Sequence, residues 1–130
     1  MIRFNAFGHK NIKATHKTTL EFTKANYLSQ RGDCIVGIKA DFKINEIKRF
    51  IKMNDKVKIT VEVNGLEESI VATLNKDFSD NNEIVIRKSN FRSNRTLAIW
   101  ANKAAINLDR DFVKNLKVDN QPLTVTLEGI

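Results

Sequence analysis

Cysteine, proline and glycine are scarce in this chain, which has one cysteine, one proline and five glycines among 130 residues. With Cys34 alone, no intramolecular disulfide can form and no multi-cysteine zinc module can be built, and this points to a reducing, cytoplasmic setting. The lack of Gly/Ser-rich or proline-rich stretches leaves no room for a long linker, so residues 1–130 are expected to form a single domain. No segment approaches the ~20 apolar residues of a membrane span, and Met1–Phe7 holds no apolar run long enough for a signal peptide. No phosphate-cradling glycine loop, dinucleotide-binding glycine pattern, HExxH helix or nucleophile elbow is present, so the common enzyme classes lack their signatures. Neither a metal site nor a cofactor is expected, because His9, His16, Asp33 and Cys34 have no recognised ligand spacing.

Acidic residues are missing from two long stretches. The net charge is +7, and residues 1–20 and 84–108 carry nine cations with no acid, which leaves −2 for the rest of the chain. The first run holds Arg3, Lys10, Lys13 and Lys17, and the second holds Arg87, Lys88, Arg92, Arg95 and Lys103. If the fold brings these runs together, they form a positive face for phosphates, carboxylates or RNA.

Apolar residues make up 42% of the chain, enough for a core in a domain that buries roughly two-thirds of its unfolded surface. Their spacing is mostly that of strands. Thr18–Thr23 alternates at period two, with Leu20 and Phe22 on one face and Thr19, Glu21 and Thr23 on the other, and reads as a half-buried strand. Val57–Val63 and Leu66–Ala72 flank Asn64-Gly65, whose residues accept the positive φ of a type I′ turn, and read as a β-hairpin. Further strands are expected at Ile2–Phe7, Cys34–Ala40, Glu83–Lys88, Thr96–Ala101 and Leu123–Leu127. Helical spacing appears at Asn45–Met53, with Asn45 as N-cap, and at Asp109–Lys117. Seven or eight short strands and two short helices imply a mainly β fold, an antiparallel sandwich or barrel.

Three polar clusters carry the candidate chemistry. His9, Thr15, His16, Thr18 and Thr19 lie in one inter-strand connection, suited to an anion through hydroxyls and backbone N–H groups or to proton transfer at His16. Arg31, Gly32, Asp33 and Cys34 lead into an apolar strand, where an arginine and an aspartate suit a planar or anionic ligand. Cys34 reads as a buried, inert thiol. Arg87, Lys88, Arg92 and Arg95 surround Phe91, a composition that can clamp phosphates and stack a base.

The same segments resemble the archaeal domain-of-unknown-function family 371 (DUF371). The likeness rests on Gly8-His9-x-Asn11-Ile12-x-Ala14-Thr15-His16-x-Thr18-Thr19-x-Glu21-x-Thr23, on Arg31-Gly32-Asp33-Cys34-Ile35-x-Gly37-Ile38-x-Ala40-Asp41, and on Val85-Ile86-Arg87-Lys88-Ser89, Arg95-Thr96 and Lys103-Ala104-Ala105. The chain departs from the pattern at Gln30, where a proline is typical, and at Asn102, where an acid is usual. The resemblance implies a jelly-roll-like β architecture and assigns no activity.

The leading expectation is therefore a site that binds an anionic or phosphorylated ligand, with RNA as one member of that class. It would use His9, Thr15, His16, Thr18, Thr19, Arg31, Asp33, Arg87, Lys88, Arg95 and Lys103, gathered at one end of the fold. One alternative is a small enzyme in which His16, Glu21 or Asp33 exchanges protons while Arg31 orients the substrate, which requires a concave pocket. Another is a structural or assembly module, without a membrane partner.

Overall fold

A computed structural model describes residues 1–130. Five elements come first: β1 (Ile2–Phe7), β2 (Thr19–Thr23), β3 (Ile35–Gly37), α1 (Ile44–Met53) and β4 (Lys56–Val63). Five more follow: β5 (Leu66–Leu74), β6 (Glu83–Arg87), β7 (Thr96–Ile99), α2 (Arg110–Leu116) and β8 (Pro122–Gly129). A single 3-10 turn, Ala105–Asn107, precedes α2. The mainly β chain with two helices is what the apolar spacing leads one to expect. The Asn64-Gly65 hairpin forms in the expected register, with φ of 51° and 79° at its turn.

Helix starts follow burial as much as caps. Asp109 caps α2 by accepting from the backbone N–H groups of Asp111 and Phe112 at 2.9 and 3.2 Å. Asn45 does not cap α1. That helix begins one residue earlier, because Ile44 packs against the core and Lys43 takes the N-cap position without a side-chain bond.

All eight strands belong to one sheet, in the order β1-β8-β4-β5-β7-β6-β2-β3. The sheet closes on itself through Phe7 and Ile38, whose N–H groups donate to each other's carbonyls at 2.8 and 2.9 Å. The result is a barrel filled by a cluster of 35 buried apolar residues, with Phe4 edge-on to both Phe22 and Phe42. Two neighbour pairs, β2–β3 and β6–β7, run parallel, whereas the sequence leads to antiparallel pairing throughout. Parallel neighbours cannot be joined by a tight hairpin turn, and residues 24–34 and 88–95 carry the chain back. No local turn signal announces such a return.

Those two returns expose an internal two-fold arrangement. Exchanging β1, β2, β3, α1 and β4 for β5, β6, β7, α2 and β8 leaves the circular strand order unchanged. The backbone bonds repeat accordingly. Glu21 N–H donates to the Cys34 carbonyl and Val85 N–H to that of Arg95, both at 2.9 Å. Ala40 N–H donates to Thr23 at 3.0 Å, and Ala101 N–H to Arg87 at 2.9 Å. Lys39 and Trp100 share a φ of 53°. In one half the Asp41 carboxylate accepts from Asn5 N–H at 2.6 Å, and in the other the Asn102 amide oxygen accepts from Val71 N–H at 2.9 Å.

Asn102 therefore does the work of an acid at this position, since either side chain presents an oxygen to the neighbouring strand. Asn102→Asp should change stability by less than about 0.5 kcal/mol, whereas Asn102→Ala should cost about 0.5–1.5 kcal/mol by removing the bond to the Val71 N–H. Urea unfolding of the two variants checks this. Equal losses would mean that the bond to Val71 is not what position 102 contributes.

Candidate functional site

The alternation in β2 sends Leu20 and Phe22 into the barrel and Thr19, Glu21 and Thr23 outward. The outward set is not half-exposed as expected: Thr19, Glu21 and Thr23 are all buried, Glu21 to 6% exposure. The two return segments fold over this face and cover it. Glu21 pairs with Val85 across β2 and β6, on the pseudo-two-fold axis, and the equivalent residues Cys34 and Arg95 approach it from either side. Cys34 Sγ lies 4.0 Å from Glu21 Oε1, and Arg95 Nη1 lies 3.4 Å from the same oxygen. Arg95 Nη1 also donates to Glu83 Oε2 at 2.6 Å, so one guanidinium holds two carboxylates.

The electrostatics follow from this crowding. Burial, then repulsion from Glu83, pushes the Glu21 carboxyl up from its ordinary 4.5 to about 7, against the pull of Arg95 and Arg87. Burial and the Glu21 charge push the Cys34 thiol up to about 11. A thiol that holds its proton at neutral pH is a poor nucleophile. Its hydrogen bond to Glu83 raises the pKa of Arg95, whereas burial and the neighbouring Arg95 lower that of Arg87.

Arg87 closes β6 on the same face. Its Nε donates to Thr96 Oγ1 at 2.9 Å, and its guanidinium lies 4.8 Å from the ring centre of Phe91, which is 58% exposed. The two terminal nitrogens of Arg87 make no protein hydrogen bond. Thr96 Oγ1 also accepts from Ser93 N–H at 3.2 Å, which ties the return segment to the strand it feeds.

The three polar clusters meet in part. Thr15 and His16 donate their N–H groups to the Asp33 carbonyl at 3.0 and 3.2 Å, which joins the first cluster to the second. Lys88 N–H donates to the Thr18 carbonyl at 2.9 Å and Thr19 pairs with Arg87, which joins the first to the third. His16, Thr15, Thr18, Thr19, Asp33, Arg87, Lys88 and Arg95 thus lie around Glu21. Arg31 stands exposed on the connecting segment, and its side chain makes no hydrogen bond or ion pair. The imidazole of His16 works locally: Nδ1 accepts from the N–H groups of Thr18 and Thr19, each at 3.1 Å.

Two expected members lie apart. His9 is drawn towards α2, where its N–H donates to the Leu116 carbonyl, and its ring meets Tyr27 edge-on at 6.4 Å. The neighbouring Gly8 is indispensable to that approach, because a Cβ there would strike the carbonyl oxygens of Leu116 and Val118. His9, Tyr27, Lys39 and Asn120 line a separate shallow cleft of about 350 Å³. Lys103 is committed to Glu68 at 2.9 Å, and Glu68 also accepts from Asp109 N–H.

Sequence reasoning passed over Glu83 and Arg110. Arg110 is a clamp: its guanidinium donates to the carbonyls of Ala14, Ala105, Ile106 and Leu108, fastening the first polar segment to the turn before α2. A guanidinium that recognises only backbone oxygens has no partner side chain to betray it. No three His, Cys, Asp or Glu side chains are placed to hold a metal ion. None of the five surface depressions is lined by Glu21, His16, Asp33, Arg31 or Arg87. No helix is long and apolar enough to cross a membrane.

Comparison with known proteins agrees with the motifs. The family described as Domain of unknown function (DUF371) matches residues 4–130. An uncharacterised protein of the archaeon Methanocaldococcus jannaschii is 45% identical over 118 residues, covering 86% of this chain and 87% of that protein. With the match running through Glu21, both return segments and the residues of both halves, the chain belongs to the DUF371 family.

Proposed function

We propose that this protein binds a phosphate-bearing anion on the exposed surface of the return segments that cover β2 and β6, and that the ligand is extended, single-stranded RNA rather than a small metabolite. The observation that carries this is Arg87, stacked on an exposed Phe91 with its terminal nitrogens free, on a face that has no concave pocket. Small-molecule sites enclose most of their ligand's surface. An open face with cations around an exposed aromatic instead suits a polymer whose phosphates meet separate guanidinium groups while a base stacks. Lys88 and Arg92 are exposed beside Phe91, and no acid stands between residues 84 and 108 to neutralise them.

The enzyme reading has less support. It asks for a histidine and a carboxylate facing a common recess, yet His16 is occupied with its own backbone and Glu21 is covered. The core cluster draws on residues from Phe4 to Leu127, which supports one domain. A cytoplasmic location fits an unpaired, half-buried Cys34.

The test is fluorescence anisotropy with a labelled oligouridylate across a salt series. Three or four phosphate contacts predict a slope of log affinity on log salt of about −2 to −3. Salt-insensitive binding would rule out a phosphate-driven mode. A thermal shift from phosphorylated metabolites but none from oligonucleotides would rule out the extended ligand.

A further inference from the structure

The internal two-fold relates not only strands but the cationic segments that feed them. Counting back from the paired bonds of Glu21 to Cys34 and of Val85 to Arg95, the string Arg31-Gly32-Asp33-Cys34 is the counterpart of Arg92-Ser93-Asn94-Arg95. The correspondence continues upstream, where Thr15 N–H donates to the Asp33 carbonyl at 3.0 Å and Ser79 N–H to the Asn94 carbonyl at 2.8 Å. Arg31 and Arg92 therefore occupy equivalent places on the two return segments. Both are exposed, and neither side chain makes a hydrogen bond or ion pair.

We infer that one ligand strand straddles the pseudo-two-fold axis, with Arg31 and Arg92 each gripping a phosphate on opposite sides of Glu21. This rests on the RNA-binding reading and adds a requirement to it, a minimum ligand length. The two segments enter β3 and β7, the outer members of the four neighbouring strands β3-β2-β6-β7. At about 4.8 Å between strands, the entry points stand roughly 14 Å apart along the sheet, farther than one phosphate reaches. The covered axis between them holds Glu21, with Glu83 beside it, and Arg95 engages both carboxyl groups, so a cation already stands against the central acids before a ligand arrives. The two grips are not identical. Asp33 sits in the Arg31 segment where Asn94 sits in the other, so the Arg92 side is the stronger.

The experiment compares a uridylate dinucleotide with an oligouridylate of about eight nucleotides, within the span that single-strand binders cover, against wild type, Arg31→Ala and Arg92→Ala. Thermal melts of the two variants should overlay the wild type, since neither side chain has a partner to lose. For the longer ligand each substitution should cost about tenfold in affinity, with Arg92→Ala at least equal to Arg31→Ala. Each should also flatten the salt dependence by about 0.7. The dinucleotide can occupy only one side at a time, so Arg92→Ala should cost it about twofold or somewhat more and Arg31→Ala about twofold or somewhat less, one of two places being lost. A longer ligand indifferent to Arg31→Ala would overturn the straddling geometry and leave RNA binding standing. Wild type that binds neither RNA would overturn both.

Discussion

Replacing Glu21 by glutamine should raise stability on the alkaline side of neutrality by about 3 kcal/mol, while leaving it nearly unchanged near pH 4.5. The native carboxyl keeps its proton up to about 7, against an ordinary 4.5, because burial and Glu83 disfavour the charge. Between those two values the folded chain binds more protons at this site than the unfolded chain. The contribution of Glu21 is thus fully present below about 4.5 and is lost as pH rises through about 7. Glutamine imitates the protonated acid in size and hydrogen bonding at every pH, and Arg95 retains Glu83 as a partner. Chemical denaturation of wild type and variant over a pH series measures the effect. Two parallel stability curves across this window would show that the carboxyl is not held neutral.

Arg87 carries the second large effect. Arg87→Ala removes a phosphate-facing guanidinium and the cation beside Phe91 in one step, and should weaken RNA binding by about 1–3 kcal/mol, roughly 5- to 150-fold. Arg87→Lys separates charge from shape. It keeps one positive charge, and so should restore most of the salt dependence. It also loses the Nε bond to Thr96 Oγ1 and the planar stack on Phe91, and so should recover less than half of the lost binding energy. Anisotropy titrations at two salt concentrations distinguish the two contributions. Full recovery by lysine would mean that the stack and the planar fork contribute nothing.

The elements were legible in the sequence and their neighbours were not. Alternation placed β2, β4 and β5, and Asn64-Gly65 announced its hairpin, because those signals are local. Parallel pairing of β2 with β3 and of β6 with β7 depends on where the chain goes after residues 23 and 87, and no nearby residue encodes that. The internal two-fold leaves only a faint trace, as in Arg31 against Arg92, Ile38 against Ile99 and Ala40 against Ala101. Its repeats are mainly backbone bonds, because many side chains at matching places differ: Cys34 against Arg95, Lys39 against Trp100, Asp41 against Asn102. Glu21 was legible as an outward-facing polar position, but its burial was not, since the segments that cover it come from residues far along the chain. His9 and Lys103 sort with the other candidates by composition alone. Backbone bonds to α2 and the charge of Glu68 draw them away.

The place of β8 between β1 and β4 bears on how the chain is made. β1 finds its full hydrogen-bonding ladder in β8, residues 122–129, so until those are made Ile2–Phe7 is held only at Asn5 and Phe7, by Asp41 and Ile38. Such distant pairing makes assembly slow and leaves an unsatisfied strand exposed meanwhile. A nascent chain stalled anywhere before Pro122 is a barrel with a missing stave.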